Sequence, residues 1–214
     1  MLLVSFFIVE NGSKLSPPPS QTLYPGEITS YQGESLDSIS TYLQELRAHP
    51  DVSIKGVQNI NQSTYRLTIN DLVNHSLSLT YEEIVNNFTL QNEVATLDCV
   101  EGWSVNCLWQ GVLISDLLKE AGASPNATTL IFTASDGYTT AIPLNYAIQN
   151  NIILAYKINN VTLPAAAGFP LNLIVPNQYG YKWIMWVTKI DVSNDSSYLG
   201  YWETRGYPNN ATVS

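Results

Sequence analysis

Basic side chains are scarce in this sequence: Lys and Arg together number 9 against 18 Asp and Glu, which leaves a net charge of −9. A chain so poor in cations offers little electrostatic footing to nucleic acid or to an anionic membrane surface. Histidine is scarcer still. His49 and His75 each stand without a second ligand at metal spacing, so a zinc or iron site built on His is not expected. A Gly-X-Ser-X-Gly elbow is missing and no Cys–His pair is evident, which leaves a hydrolase weakly supported. No Cys-X-X-Cys-His motif is present for haem attachment. Long apolar runs are missing too: the apolar start, Met1 to Val9, is far too short to span a bilayer, and it has neither the basic flank of a signal peptide nor a twin-Arg pair. No internal repeat appears.

What is abundant points to a compartment. Sequons Asn-X-Ser/Thr begin at Asn11, Asn61, Asn74, Asn87, Asn126, Asn160, Asn194 and Asn210, where roughly three or four would arise by chance from this composition. Together with little Lys and much Tyr, the excess indicates an exported or cell-surface glycoprotein. The alternative is a coincidence of an Asn-, Ser- and Thr-rich composition. Ser13 to Pro25, with Pro17-Pro18-Pro19, reads as a stiff linker. The expected organisation is an apolar remnant and linker over 1–29 and one folded domain over 30–214, with a membrane anchor possible outside the visible sequence.

The chain is organised around Leu97 to Gly122, which holds both cysteines, Cys99 and Cys107, and two of the five tryptophans. The second half reads as a helix, with Ser115 as N-cap, Leu117, Leu118 and Ala121 on an apolar face, and Gly122 at its stop. The first half is expected to be a loop, because Gly102 and Gly111 bracket it and neither a period of 2 nor one of 3.6 fits. A cysteine on a loop pinned by large aromatics suits a metal ligand or a nucleophile; the competing reading is a half-buried structural cysteine.

Elsewhere, Leu36, Ile39, Leu43 and Leu46 predict a helix ending before Pro50, and Tyr65 to Ile69 alternates as a half-buried strand. Thr80-Tyr81-Glu82-Glu83 forms a capping box, with Leu79 and Ile84 as a hydrophobic staple. Strands are expected over Thr129 to Thr133, Thr139 to Ile142, Ile152 to Ile158, Leu171 to Val175 and Trp183 to Val192. Asp136-Gly137 and Asn159-Asn160 mark turns, and a short helix starts at Pro143. The aromatic tail, with Tyr201, Trp202 and Tyr207, is expected to pack across the domain, with carbohydrate stacking as the alternative. The class is α+β: β-rich mixed sheets with short helices.

Cys99-Val100-Glu101-Gly102-Trp103-Ser104, followed by Trp109-Gln110-Gly111-Val112 and a leucine-rich helix, resembles the molybdopterin-binding oxidoreductase domain family, the sulfite oxidase fold. It is most similar to the branch containing the bacterial periplasmic methionine sulfoxide reductase catalytic subunit. Further segments match in the same order: Tyr65 to Ile69, Leu79 to Ile84, Asp136-Gly137-Tyr138, Ile142-Pro143-Leu144 and Leu154 to Lys157. Leu163-Pro164, Gly168-Phe169-Pro170-Leu171, Val175-Pro176 and Gly180-Tyr181-Lys182-Trp183 follow. The resemblance covers Ser53 to Val192, and the Gly200-Tyr201-Trp202-Glu203 tail also fits.

The resemblance implies that Cys99 donates a thiolate to molybdenum, a soft ligand suited to a metal that cycles between oxidation states. It implies oxo transfer on a small substrate, with Glu101 and Tyr138 in the catalytic pocket, Trp103 as a cofactor wall and a separate electron-transfer partner. The cofactor's phosphate calls for cations, and here the sequence departs from the family: Ala167, Asn172 and Met185 stand where many members have His, Arg and Lys, and Asp98 stands where a basic residue is common. Arg66, Lys157, Lys182 and Arg205 remain as candidate phosphate partners. The rival function is a cofactor-free cell-surface recognition domain that keeps the fold, binds a surface ligand and closes Cys99 and Cys107 into a disulfide.

Overall fold

The computed structural model describes residues 22–213; Met1 to Val9, Asn11 and most of the Pro-rich stretch lie outside the described residues. In chain order the strands are β1 (Ser30–Tyr31), β2 (Glu34–Ser35), β3 (Leu67–Asp71), β4 (Leu77–Leu79), β5 (Gln91–Asp98), β6 (Ser104–Leu113), β7 (Thr129–Ala134), β8 (Thr139–Pro143), β9 (Ile153–Ile158), β10 (Val161–Thr162), β11 (Asn172–Ile174) and β12 (Val187–Ser193). The helices are α1 (Ile39–Ala48), α2 (Tyr81–Asn87), α3 (Ile114–Ala121) and α4 (Leu144–Gln149). One sheet runs β10-β9-β6-β5 with β11 added to β9, and the other runs β4-β3-β12-β7-β8. All pairings are antiparallel except β12 with β3. This is the expected α+β class.

Local chemistry accounts for most elements. In α1, Ser38 accepts from Thr41 N at 3.0 Å, and Ile39, Tyr42, Leu43 and Leu46 bury one face at helical spacing. The Thr80–Glu83 capping box forms as expected, and Leu79 and Ile84 both join the core. Asn159 and Asn160 both take positive φ (47° and 70°) between the paired residues Ile158 and Val161, which is the two-residue turn that matches strand twist. The packed domain begins earlier than 30: Ile39 N donates to Glu27 Oε1 at 2.6 Å, and Tyr24 packs against the core. Among the described residues, no helix is long and apolar enough to cross a membrane.

Three expectations need correction. Leu97 to Val112 is not a loop but the end of β5, a tight turn and most of β6. Its period was hidden because Cys107 to Val112 are all buried: a central strand covered on both faces does not alternate. Ser115 is not the N-cap, since β6 runs straight into α3 and Leu113 holds that position with no side-chain cap. Gly122 does close α3, in the left-handed conformation. The last strand starts at Val187 rather than Trp183, because Gly180–Lys182 forms a 3₁₀ turn and Trp186 has φ of 55°.

Candidate active-site cavity

The Cys99 hairpin has a defined geometry. Gly102 N donates to Cys99 O at 3.0 Å and Cys99 N donates to Trp103 O at 2.9 Å. With Gly102 at φ of 90°, this is a type I turn closed by a bulged glycine, and a side chain at that position would be strained. The turn lifts Cys99, Glu101 and Trp103 onto one wall of a cleft of about 790 Å³, open mouth included. Tyr42 and Leu46 of α1, Asp51, Asp136 and Tyr138 of the β7–β8 turn, Gly180, Tyr181 and Trp183 to Trp186, and Trp202 and Tyr207 of the tail supply the other walls. The aromatic tail thus packs across the domain.

Cys99 is half-buried and its Sγ donates to Glu101 Oε2 at 3.7 Å. Burial pushes the thiol above its ordinary range and the Glu101 carboxylate pushes it further, while backbone N–H groups oppose both. Reactive cysteines sit in electropositive surroundings; this one does not, and it is a thiol at neutral pH. Alkylation of Cys99 by iodoacetamide is therefore expected to be slower than that of a free cysteine and to accelerate only above the ordinary thiol range. Glu101→Gln should move the rate-against-pH curve to lower pH, measured by mass spectrometry of the labelled peptide; an unmoved curve would remove Glu101 as a cause. Beyond the turn, His49 Nδ1 lies 3.0 Å from Glu101 Oε2 and 3.7 Å separates His49 Nε2 from Glu45. The His49 ring stacks on Trp103 at 5.8 Å.

Cys99, Glu101, Trp103 and Tyr138 share this cavity. The Tyr138 hydroxyl is already engaged, donating to Tyr181 O at 2.6 Å. Its pKa is driven well up by burial and then by Glu203. The four candidate cations do not converge, and none borders the cavity. Arg66 donates to Tyr65 O at 2.6 Å on the surface, and Lys157 sits on β9. Arg205 lies 3.6 Å over the Tyr201 ring, donating to Tyr201 O. Lys182 is buried and ion-paired with Glu203, and it donates to Ala141 O at 3.1 Å and to Asn209 Oδ1 at 2.9 Å. The Cys99–Cys107 disulfide is ruled out by register. Cys107 lies opposite Ala95, so Cys99 is four residues further along, roughly 13 Å at ~3.3 Å per residue, where a bridge needs Cα atoms within about 7 Å. Both thiols are free, and Cys107 Sγ donates to Asp37 O at 3.7 Å.

Sequence reasoning missed Asp51, His49 and the indoles of Trp183 and Trp186 as site residues, and read Asp136 only as a turn residue. That turn role is real, since Asp136 Oδ1 accepts from Tyr138 N at 2.9 Å, but Oδ2 accepts from Ile54 N at 2.8 Å, eighty-two positions away. Cys99 offers a soft metal a sulfur ligand, one that would have to lose its proton on binding. The residues do not fit a phosphorylated pterin: among the described residues the lining carries Asp51, Glu101 and Asp136 and no Lys or Arg, so a phosphate dianion would meet like charge without a charge-assisted partner there.

Comparison with known proteins follows the same outline. Residues 54–202 match the model of the oxidoreductase molybdopterin binding domain. The chain is 32% identical over 148 residues to an uncharacterized oxidoreductase of Bacillus subtilis, covering 69% of this chain and 74% of that protein. It is 27% identical over 184 residues to the protein-methionine-sulfoxide reductase catalytic subunit of Gluconobacter oxydans, covering 78% of this chain and 59% of that one. Among solved structures, the sulfane dehydrogenase SoxCD of Paracoccus pantotrophus superposes with a TM-score of 0.63 at 26% identity, over 65% of this chain and 41% of that one. The chain thus spans less than two thirds of the length of the last two.

Proposed function

This chain belongs to the molybdopterin-binding oxidoreductase domain family, and from that premise we propose that it is an exported, glycosylated member whose cavity binds a small organic molecule directly. The observation that carries the proposal is the cavity lining, which among the described residues has three carboxylates and no Lys or Arg. A site for a phosphorylated cofactor needs the opposite balance, with each missing charge-assisted hydrogen bond forfeiting about 1.5–3 kcal/mol. The buried Lys182, in the Gly180–Lys182 turn beside these walls, is held by Glu203.

Export is supported by the sequons. All seven within the described residues have an exposed Asn and an exposed hydroxyl residue, and none of those side chains lines the cavity. Glycans at these positions would coat the domain and leave the mouth open.

A second reading is favoured by one observation, the thiol of Cys99 on the cavity wall beside a buried Trp103 Nε1 that lacks a partner. In it the protein is a molybdopterin-dependent oxidoreductase acting by oxo transfer on a small substrate, with Cys99 as the metal ligand and electrons exchanged with a separate partner. Metal analysis of protein purified from its native, molybdenum-replete host decides between the two. Below about 0.1 molybdenum per chain is expected; close to one per chain, lost in Cys99→Ser, would install the oxidoreductase. On the same sample, enzymatic deglycosylation is expected to lower the intact mass by several glycans, and an unchanged mass would remove the glycoprotein reading.

A further inference from the structure

We infer that the cavity is a receptor site for a small organic cation of the quaternary-ammonium class. The inference rests on the direct-binding reading above and names the ligand chemistry. Two features of the cavity argue for it independently.

The first is uncompensated charge. Of the three carboxylates on the walls, Glu101 is paired with His49, while Asp51 and Asp136 have no basic partner among the described residues. Asp136 is 1% exposed and its two bonds come from neutral backbone N–H groups. Carboxylates of one sign around a low-dielectric cleft focus a negative potential into it, so a ligand supplying positive charge is the complement.

The second is how the aromatic walls are tied. Trp183 Nε1 donates to Gln178 O at 2.9 Å and Trp186 Nε1 to Ala165 O at 2.7 Å. Tyr138 and Tyr181 donate their hydroxyls to Tyr181 O and Pro208 O at 2.6 and 2.8 Å. With their polar edges committed to backbone, these four rings offer the cavity carbon surface and π-electron density, not donors. A primary ammonium needs acceptors for three N–H groups; a methylated one needs none and is held by ring faces and a nearby carboxylate. Trp103, whose ring also lines the cavity, has a buried Nε1 with no partner, and an oxygen carried by a ligand that reached it would supply the missing acceptor. Choline combines the two features, an onium head and an oxygen.

The test is a titration of the intact purified protein, with its molybdenum content measured beforehand, against choline and against 3,3-dimethylbutanol, the neutral carbon isostere of choline. Tryptophan fluorescence and calorimetry are the readouts. Molybdenum-free protein is expected to bind choline saturably and the isostere at least tenfold more weakly. The exposed-rim double variant Asp51→Asn/Glu101→Gln should weaken choline about tenfold while leaving the isostere unchanged. Equal binding of choline and isostere, or no saturation by choline up to about 50 mM, overturns the inference while the direct-binding reading stands. Stoichiometric molybdenum in the starting protein overturns the direct-binding reading itself, and this inference with it.

Discussion

Glu203→Gln is expected to destabilise the domain by about 3–5 kcal/mol, the usual consequence of removing one partner of a buried ion pair. For a domain of this size that corresponds to a fall in melting temperature on the order of 10 °C. The substitution keeps the shape and removes the charge. Lys182, whose side chain is 1% exposed, would keep Ala141 O and Asn209 Oδ1 but lose its counter-ion. The consequence reaches the cavity because the pair joins three of its walls: Glu203 belongs to the aromatic tail, Lys182 to the turn carrying Tyr181, and Thr140, which donates to Glu203 Oε1 at 2.9 Å, to β8. The pH dependence has a definite sign. Burial already lowers the Lys182 pKa, against the opposing pull of Glu203, and without the carboxylate that lowering deepens. Between the lowered folded value and the ordinary lysine value the unfolded chain binds more protons, so the variant's stability climbs as pH rises towards the lysine range. Urea denaturation of both proteins at pH 7 and pH 9.5 measures it: a deficit under 1 kcal/mol, or one that widens with pH, contradicts the account. Lys182→Met/Glu203→Leu should recover most of the loss, since a packed apolar pair carries no desolvation penalty.

How far the sequence reveals this site differs from residue to residue. The Cys99 to Ser104 stretch was legible as a family-like segment, but it reads as part of a loop bracketed by Gly102 and Gly111, and the tight turn between β5 and β6 was not legible. α1 and the Thr80–Glu83 box were legible because caps and apolar spacing are local signals. β6 was not, since burial on both faces erases the alternation that marks a strand. The cation assignments show a different limit. Lys182 lies in a family-like segment and reads as a ligand partner, yet its charge is consumed by Glu203, twenty-one positions on, a pairing created only when the tail folds over β8. Asp136 is the converse: a residue with an obvious turn role whose second oxygen joins Ile54 and whose charge faces the cavity. Residue type and spacing find the groups; the tertiary pairing decides which remain available.

Gly111→Ala is expected to prevent folding to the native state, with an effect beyond the 4–5 kcal/mol that marks exceptional substitutions. Gly111 lies in β6 where the pairing with β9 shifts register, between Gln110 and Gly111. A Cβ there would sit 1.9 Å from Leu154 O and 2.5 Å from Ala155 Cα, both backbone atoms of β9, so no side-chain rotation relieves the clash. β6 is flanked by β5 and β9, and moving it away from β9 drags the Cys99 hairpin with it. Gly102→Ala is the control. Its Cβ would meet nothing within 4 Å, and only the positive φ of 90° is penalised, a strain of about 1–2 kcal/mol. Soluble yield, near-ultraviolet circular dichroism and urea midpoints compare the two. The Gly102 variant should fold with a slightly lower midpoint, and the Gly111 variant should lose the aromatic signal of Trp109, Trp183 and Trp186. If Gly111→Ala folds with a midpoint near the parent's, β6 and β9 are not as close as the structure has them, and the position of Cys99 on the cavity wall would have to be redrawn with them.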